Sequence, residues 1–283
     1  DFVAIVQPRL GGECGDDTAI WSHRYSLTNL IGKPYETRSL GKNGQHIIID
    51  DYVIVPAFAC DAQTMIQIGV FAHEFGHAFG LPDLYDTHSG KNQSAGVGGW
   101  DLMGSGSWGG RGTSPETPSH MSAWSKEFLG WINSKDIKES TRAVRLHPVE
   151  SSGEAIKVDI DEDRALLLEN RNRKGFDQSL PRSGLLVWKV KNSVIRPGLA
   201  SNSVNANPDD PGLALIEADG NHELLANANR GDSGDPFPGA AGIKNYDSTT
   251  EPTFFNDNIA LCNIKKKGED IVLDILLKPN CSD

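Results

Sequence analysis

Apolar and polar positions alternate along FVAIVQP (residues 2–8) and again along HIIIDDYVIVPAF (46–58), and this period of two predicts two strands bracketing a glycine-rich stretch. The period then lengthens. From Asp61, a side chain suited to an N-cap, Met65, Ile68, Ala72, Phe75 and Phe79 recur at helical spacing, and Gly80 followed by Pro82 supplies a stop. Residues 87–119 lose periodicity: GGWDLMGSGSWGGRGTSPETPS (98–119) predicts a long ordered loop, and connections longer than about 15 residues are uncommon unless they line a site. A second helix is predicted over SHMSAWSKEFLGWI (119–132), with Met121, Trp124, Phe128 and Trp131 on its apolar face and Gly130 at its end. After residue 140 the period of two returns in AVRLHPV, AIKVDID, RALLLENR, GLLVWKVK, LALIEAD, IALCNI and DIVLDILL. No internal repeat interrupts the chain.

This pattern predicts an α+β protein, with strands, two helices and a long loop in residues 1–138, followed by a β-rich, sandwich-like domain in 139–283. A chain of 283 residues with 38% hydrophobic content can bury one large core or two modest ones. The net charge of −11 excludes nucleic acid as the expected partner, because a phosphate-binding surface needs clustered Lys and Arg. The Lys265–Lys267 run is expected to be a solvated hairpin tip. No apolar run approaches the ~20 residues of a membrane span, and no charged-then-apolar leader opens the sequence.

Cys14, Cys60, Cys262 and Cys281 form no C-x-x-C pair, which argues against a thiolate metal site. Four cysteines allow three connectivities. An early pair and a late pair favour Cys14–Cys60 and Cys262–Cys281 in an oxidising, extracellular setting, with four buried thiols as the alternative.

The chemistry concentrates in HEFGH, residues 73–77. On a helix, residues four apart stand one above the other, so His73 and His77 can face a single ion, and Glu74 is placed to take a proton from a water activated there. The plain alternative is a helix carrying two partly buried histidines. Gly80 stands where the helix must end in a left-handed residue, and the reversal would return Asp83 toward the histidines. Two imidazoles and one carboxylate leave an open position, the arrangement of catalytic rather than structural zinc. Asp86 is a rival ligand, ranked below Asp83, and Glu116 and Glu127 are weaker still. The other histidines, 23, 46, 88, 120, 147 and 222, lack a second ligand at suitable spacing. In ADGNHE (218–223) and GDSGDPFPG (231–239), Asp219, Glu223, Asp232 and Asp235 stand in turn-rich surroundings suited to calcium, although neither run is an EF-hand loop and both can be plain turns.

The run HEFGHAFGLPDLYD (73–86) resembles the M6, or immune inhibitor A, family of metzincin-like zinc metalloproteases. Supporting blocks are GGWDLMGSGSW (98–108), TPSHMSAWSKEFLGW (117–131), LLLENRNRKGFDQSLPRSGLLVWKV (166–190), IEADGNHELL (216–225) and GDSGDPFPG (231–239). The resemblance implies a zincin-like catalytic domain, zinc held by His73, His77 and Asp83, Glu74 as general base, and Met103 in a Met-turn as a floor rather than a ligand. Some metzincins carry tyrosine two residues after that methionine; here Ser105 stands there, leaving the oxyanion helper open between zinc alone, a backbone N–H and a nearby side chain. It also implies a catalytic domain entered partway, its N-terminal part either missing or held as a separately cleaved fragment. The expected activity is a secreted zinc endopeptidase acting on protein or peptide substrates. The competing expectation is a non-catalytic extracellular module, stabilised by metal, whose β-rich half recognises a glycan or matrix protein.

Overall fold

Alternation at the start of the chain folds as strand β1 (Val3–Gln7), followed by β2 (His23–Ser26), helix α1 (Leu27–Ile31), β3 (Tyr35–Leu40), β4 (His46–Ile49), β5 (Asp51–Pro56) and helix α2 (Ile68–Ala78). The computed structural model describes residues 2–88, 90, 93–110, 112–113, 115–249 and 258–282, so part of the predicted 87–119 loop lies outside the described residues. The run expected as one strand over 46–58 divides into β4 and β5 around Asp50. The Asp50 carboxylate instead accepts from the N–H of Thr28 at 2.7 Å and its hydroxyl at 2.8 Å, locking the start of α1.

β5 is the centre of a three-stranded sheet in the order β1-β5-β2, parallel to β1 and antiparallel to β2, while β3 and β4 form a separate hairpin. α2 lies against β5 and β2. It begins later than the periodicity predicts, at Ile68 with Gln67 as N-cap. Asp61 spends its carboxylate on the N–H groups of Gln63 and Thr64, a local turn that competes with helix. Cys14–Cys60 closes this first compact unit, Asp1–Leu81.

The second compact unit runs from Pro82 to Asp283. It contains α3 (Ala123–Phe128), β6 (Lys135–Asp136), β7 (Thr141–Leu146), α4 (Val149–Ser152), β8 (Ile156–Asp159), β9 (Arg164–Arg171) and β10 (Gly184–Lys191). α5 (Asn192–Ser201), β11 (Leu213–Leu215), β12 (Ala260–Lys267) and β13 (Asp270–Leu276) complete it. The sheets are β11-β10-β9-β8-β6 and β12-β13-β7. One hydrophobic core draws on both, with Leu166, Leu168 and Val187 from the first and Leu261, Ile271 and Leu273 from the second.

The fold is therefore mixed α and β, with several sheets and few helices. The two compact units meet in sequence at Leu81/Pro82. Lys265–Lys267 is exposed at the β12–β13 hairpin, where Lys267 pairs with Asp270 across Gly268. Met121, just before α3, and Trp124 on it are buried as expected, but Phe128, its last residue, and Trp131, beyond its end, are 43% and 59% exposed, because the helix lasts only six residues. α5 contains Pro197, a residue that reads as a breaker in the sequence. Cys262–Cys281 pins the C-terminal segment to β12.

Candidate metal centre

The helix stop after α2 shapes the candidate site. Gly80 adopts φ 97°, its N–H donates to His77 O at 3.0 Å, and the Leu81 N–H donates to Gly76 O at 3.1 Å. These are the paired bonds of a Schellman turn, which satisfies the last carbonyls and folds the chain back on the helix. The reversal returns the Leu81 carbonyl to the His77 side chain, 2.8 Å from Nδ1. A proton on Nδ1 is then fixed by that carbonyl, which makes Nε2 the acceptor nitrogen of the ring and the one a metal would take.

His73 lies one turn earlier, its ring centroid 4.8 Å from that of His77 and its plane nearly perpendicular, at 88°. Two rings in that attitude present nitrogens to one point rather than stacking. His73, Glu74 and Asp83 are all buried. Within the run 73–83, His73, His77 and Asp83 each offer one ligand atom, and the three atoms lie within 4.8 Å of one another. The donor set, two borderline imidazoles and one carboxylate, suits zinc.

Asp83 is oriented from far along the chain. Its N–H donates to Asn202 Oδ1 at 2.7 Å, and Asn202 Nδ2 donates to its Oδ2 at 2.6 Å. Sequence reading missed Asn202 entirely. Asp86, the rival ligand, is committed elsewhere: its two oxygens accept from the N–H groups of His88 and Ser94, both at 2.9 Å. Among the described residues, no other histidine joins a cluster able to hold a metal.

Met103 is fully buried in a tight turn. Its N–H donates to Asp101 Oδ1 at 2.6 Å and its carbonyl accepts from Leu84, the residue after Asp83, at 2.8 Å. Asp101 Oδ2 also accepts from the Ser122 N–H at 2.6 Å and the Ser125 hydroxyl at 3.0 Å, so one buried carboxylate ties this turn to the start of α3. Ser105 Oγ is occupied by the Arg230 guanidinium at 2.7 Å.

Behind the turn stands Arg171, a fully buried cation. It donates to Asp177 at 2.6 and 2.7 Å, to Glu169 at 3.2 Å, and to the carbonyls of Trp100 and His120. Burial would raise the Asp177 pKa, but the Arg171 charge and hydrogen bonds outweigh it and hold the group at about 2. Glu150 is pushed by burial up to about 7 despite the same guanidinium.

The residues proposed for calcium also converge: Asp219, Glu223 and Asp232 form one group, and Asp219 and Asp235 form another with Glu217, which sequence reading passed over because it sits in the strand-like run LALIEAD.

Residues 4–133 match the family model described as the immune inhibitor A peptidase M6 catalytic domain. Over 147 residues, 48% of this chain, the sequence is 39% identical to the pre-pro-metalloprotease PrtV of Vibrio cholerae serotype O1, covering 15% of that protein. Over 144 residues, 47% of this chain, it is 36% identical to immune inhibitor A of Bacillus thuringiensis subsp. alesti, covering 19% of that protein. The matched segment contains the Schellman-turned helix and its histidines. Through residues 4–133, a little under half of its length, the chain is similar to the catalytic domain of the immune inhibitor A, or M6, family of metalloproteases.

Proposed function

We propose that this protein is a zinc-dependent endopeptidase with Glu74 as general base. The observation that carries the reading is the convergence of His73, His77 and Asp83 ligand atoms within 4.8 Å, on a helix whose next residue after His73 is a buried glutamate. A structural site has no need of that base.

Zinc bound there would supply a Lewis acid that polarises the scissile carbonyl and makes a water easier to deprotonate. His77 is held in one tautomer by the Leu81 carbonyl and Asp83 in one orientation by Asn202, so both ligands are set before metal arrives. Glu74 takes the proton from the attacking water on one carboxylate oxygen and passes it to the departing amine. Met103 is the Met-turn residue of this reading.

The proposal assigns residues 1–138 to a zincin-like catalytic domain and 139–283 to a β-rich domain. Two disulfides suit a protein secreted into an oxidising medium. Exposed apolar side chains on the first unit, including Phe2, Val6, Trp21 and Ile31, are what a separately cleaved N-terminal fragment would cover. Calcium at Asp219, Glu223, Asp232 and Asp235 is the second cation of the proposal. Among the described residues no helix is long and apolar enough to cross a membrane.

The test pairs elemental analysis with casein cleavage, with and without 1,10-phenanthroline, in the wild type and Glu74→Gln. One zinc per chain in both proteins, with chelator-sensitive cleavage in the wild type alone, is expected. Zinc without cleavage in the wild type, or cleavage surviving in Glu74→Gln, overturns the reading.

A further inference from the structure

Five carboxylates gather on the loops that follow β11. Glu217, Asp219 and Asp235 offer oxygens within 4.8 Å of one another, and Asp219, Glu223 and Asp232 form a second group of the same tightness. The groups do not merge, and only Asp219 belongs to both. A hard cation takes oxygens at roughly 2.3–2.6 Å, so all the ligands of one ion lie within about 5 Å of each other. The five residues meet that condition as two sets, not as one.

The backbone already aims these oxygens. Glu217 accepts from the N–H groups of Glu223 and Leu224 at 2.7 and 3.2 Å, Asp219 from Asn221, and Asp232 from Gly234 at 2.6 Å. A Cβ on Gly234 would stand 1.9 Å from Asp219 Oδ2, so a side chain there would displace that carboxylate from the cluster. Among the described residues, no ion pair joins a lysine or arginine to any of the five.

The independent sign of a ligand is Asp235. Its side chain is wholly buried; Oδ2 accepts from Trp100 Nε1 at 2.7 Å and from the Asp232 N–H at 2.9 Å, whereas Oδ1 has no hydrogen-bonding partner. A buried carboxylate oxygen in that position calls for a cation or a proton.

Asp235 also connects the cluster to the Met103 turn. Trp100, its hydrogen-bond donor, is one residue from Asp101, which holds Met103. Gly99 N–H donates to Arg230 O at 2.6 Å, and Arg230 reaches Ser105.

We infer that Glu217, Asp219, Glu223, Asp232 and Asp235 hold two calcium ions bridged by Asp219, and that the inner ion, through Asp235 and Trp100, fixes the turn that carries Met103. This rests on the calcium reading above and adds Glu217 as a ligand and Trp100 as the lever.

The experiment is calcium titration calorimetry on the full chain, stripped with EGTA and reloaded with one equivalent of zinc, beside Glu217→Gln and Asp219→Asn. Terbium luminescence, excited through tryptophan, is measured on the wild type and Trp100→Phe. Two calcium ions per wild-type chain are expected, one in Glu217→Gln, neither at micromolar calcium in Asp219→Asn, and terbium emission at least five-fold weaker in Trp100→Phe. One ion in the wild type overturns the bridged pair while keeping the calcium reading; none overturns both. Undiminished terbium emission in Trp100→Phe overturns the placement of the inner ion beside Trp100. The wild-type stoichiometry decides the pair even where a variant fails to fold.

Discussion

Asp83 and Asn202 grip each other at two points, backbone N–H to amide oxygen at 2.7 Å and amide N–H to carboxylate at 2.6 Å, across 119 residues of sequence. Asn202 ends α5 in the left-handed region, at φ 52° and ψ 43°. One asparagine therefore terminates a helix and orients a proposed metal ligand.

Replacing it with glycine separates these two tasks. Glycine adopts φ 52° without strain and keeps the helix end, but it removes both hydrogen bonds to Asp83. We expect Asn202→Gly to keep its thermal midpoint within about 4 °C in the metal-free chain and to bind zinc about 10- to 100-fold more weakly in chelator competition, the usual loss when a residue behind a ligand is removed. Unchanged zinc affinity would mean that Asp83 needs no such support.

Arg171 is the next test. Its guanidinium is wholly buried and paired with both Asp177 and Glu169, and removing it strips the cation from two buried carboxylates. Arg171→Met is expected to cost about 3–5 kcal/mol, a fall in Tm on the order of 10 °C. Arg171→Lys is expected to recover little, because an ammonium cannot serve Asp177 through two bonds while reaching the carbonyls of Trp100 and His120. A lysine variant melting like the wild type would show that charge alone is what matters there.

The two disulfides should differ in value. Cys14–Cys60 spans 46 residues and Cys262–Cys281 spans 19, so chain entropy assigns them about 4 and about 3 kcal/mol. Paired serine substitutions, compared by urea denaturation, are expected to rank in that order. The reverse ranking would place the larger contribution in the packing of Cys262, which is buried against Ala260 and Leu276.

The candidate residues on α2 are legible because a helix repeats: His73 and His77 are one turn apart, and Gly80 marks the reversal that the Schellman bonds then make. What could not be read depends on distant partners or on competing local bonds. Asp61 resembles an N-cap until Gln63 and Thr64 are seen to claim its carboxylate, and the helix starts at Ile68 instead. Nothing near Asn202 in sequence points to Asp83. Glu217 hides inside a strand-like alternation, and its proximity to Asp219 and Asp235 emerges only on folding.

His120 gives the pH test. Burial, with the Arg171 and Lys126 charges nearby, lowers its pKa to about 4, against the opposing pull of Asp177 and Glu169. The unfolded chain binds this proton near pH 6.5, so between 6.5 and 4 the unfolded state holds more protons than the folded one. Stability from this group is fully present above pH 6.5 and is lost as pH falls toward 4. Glu150 acts in the opposite sense: with its folded pKa raised to about 7, it favours the folded state as pH falls from 7 toward 4.5. The wild-type slope sums these with the other shifted groups, Glu217 and Asp235 among them, and the variant isolates His120. We expect the stability difference between wild type and His120→Gln, from urea unfolding at pH 7, 6 and 5, to shrink by about 1 kcal/mol per pH unit below 6.5. That is slightly less than one full proton gives, because the ring keeps some contact with solvent. A difference that stays constant over this range would mean that His120 titrates in the folded chain as it does in the unfolded one, and the buried ring would then have no part in acid lability.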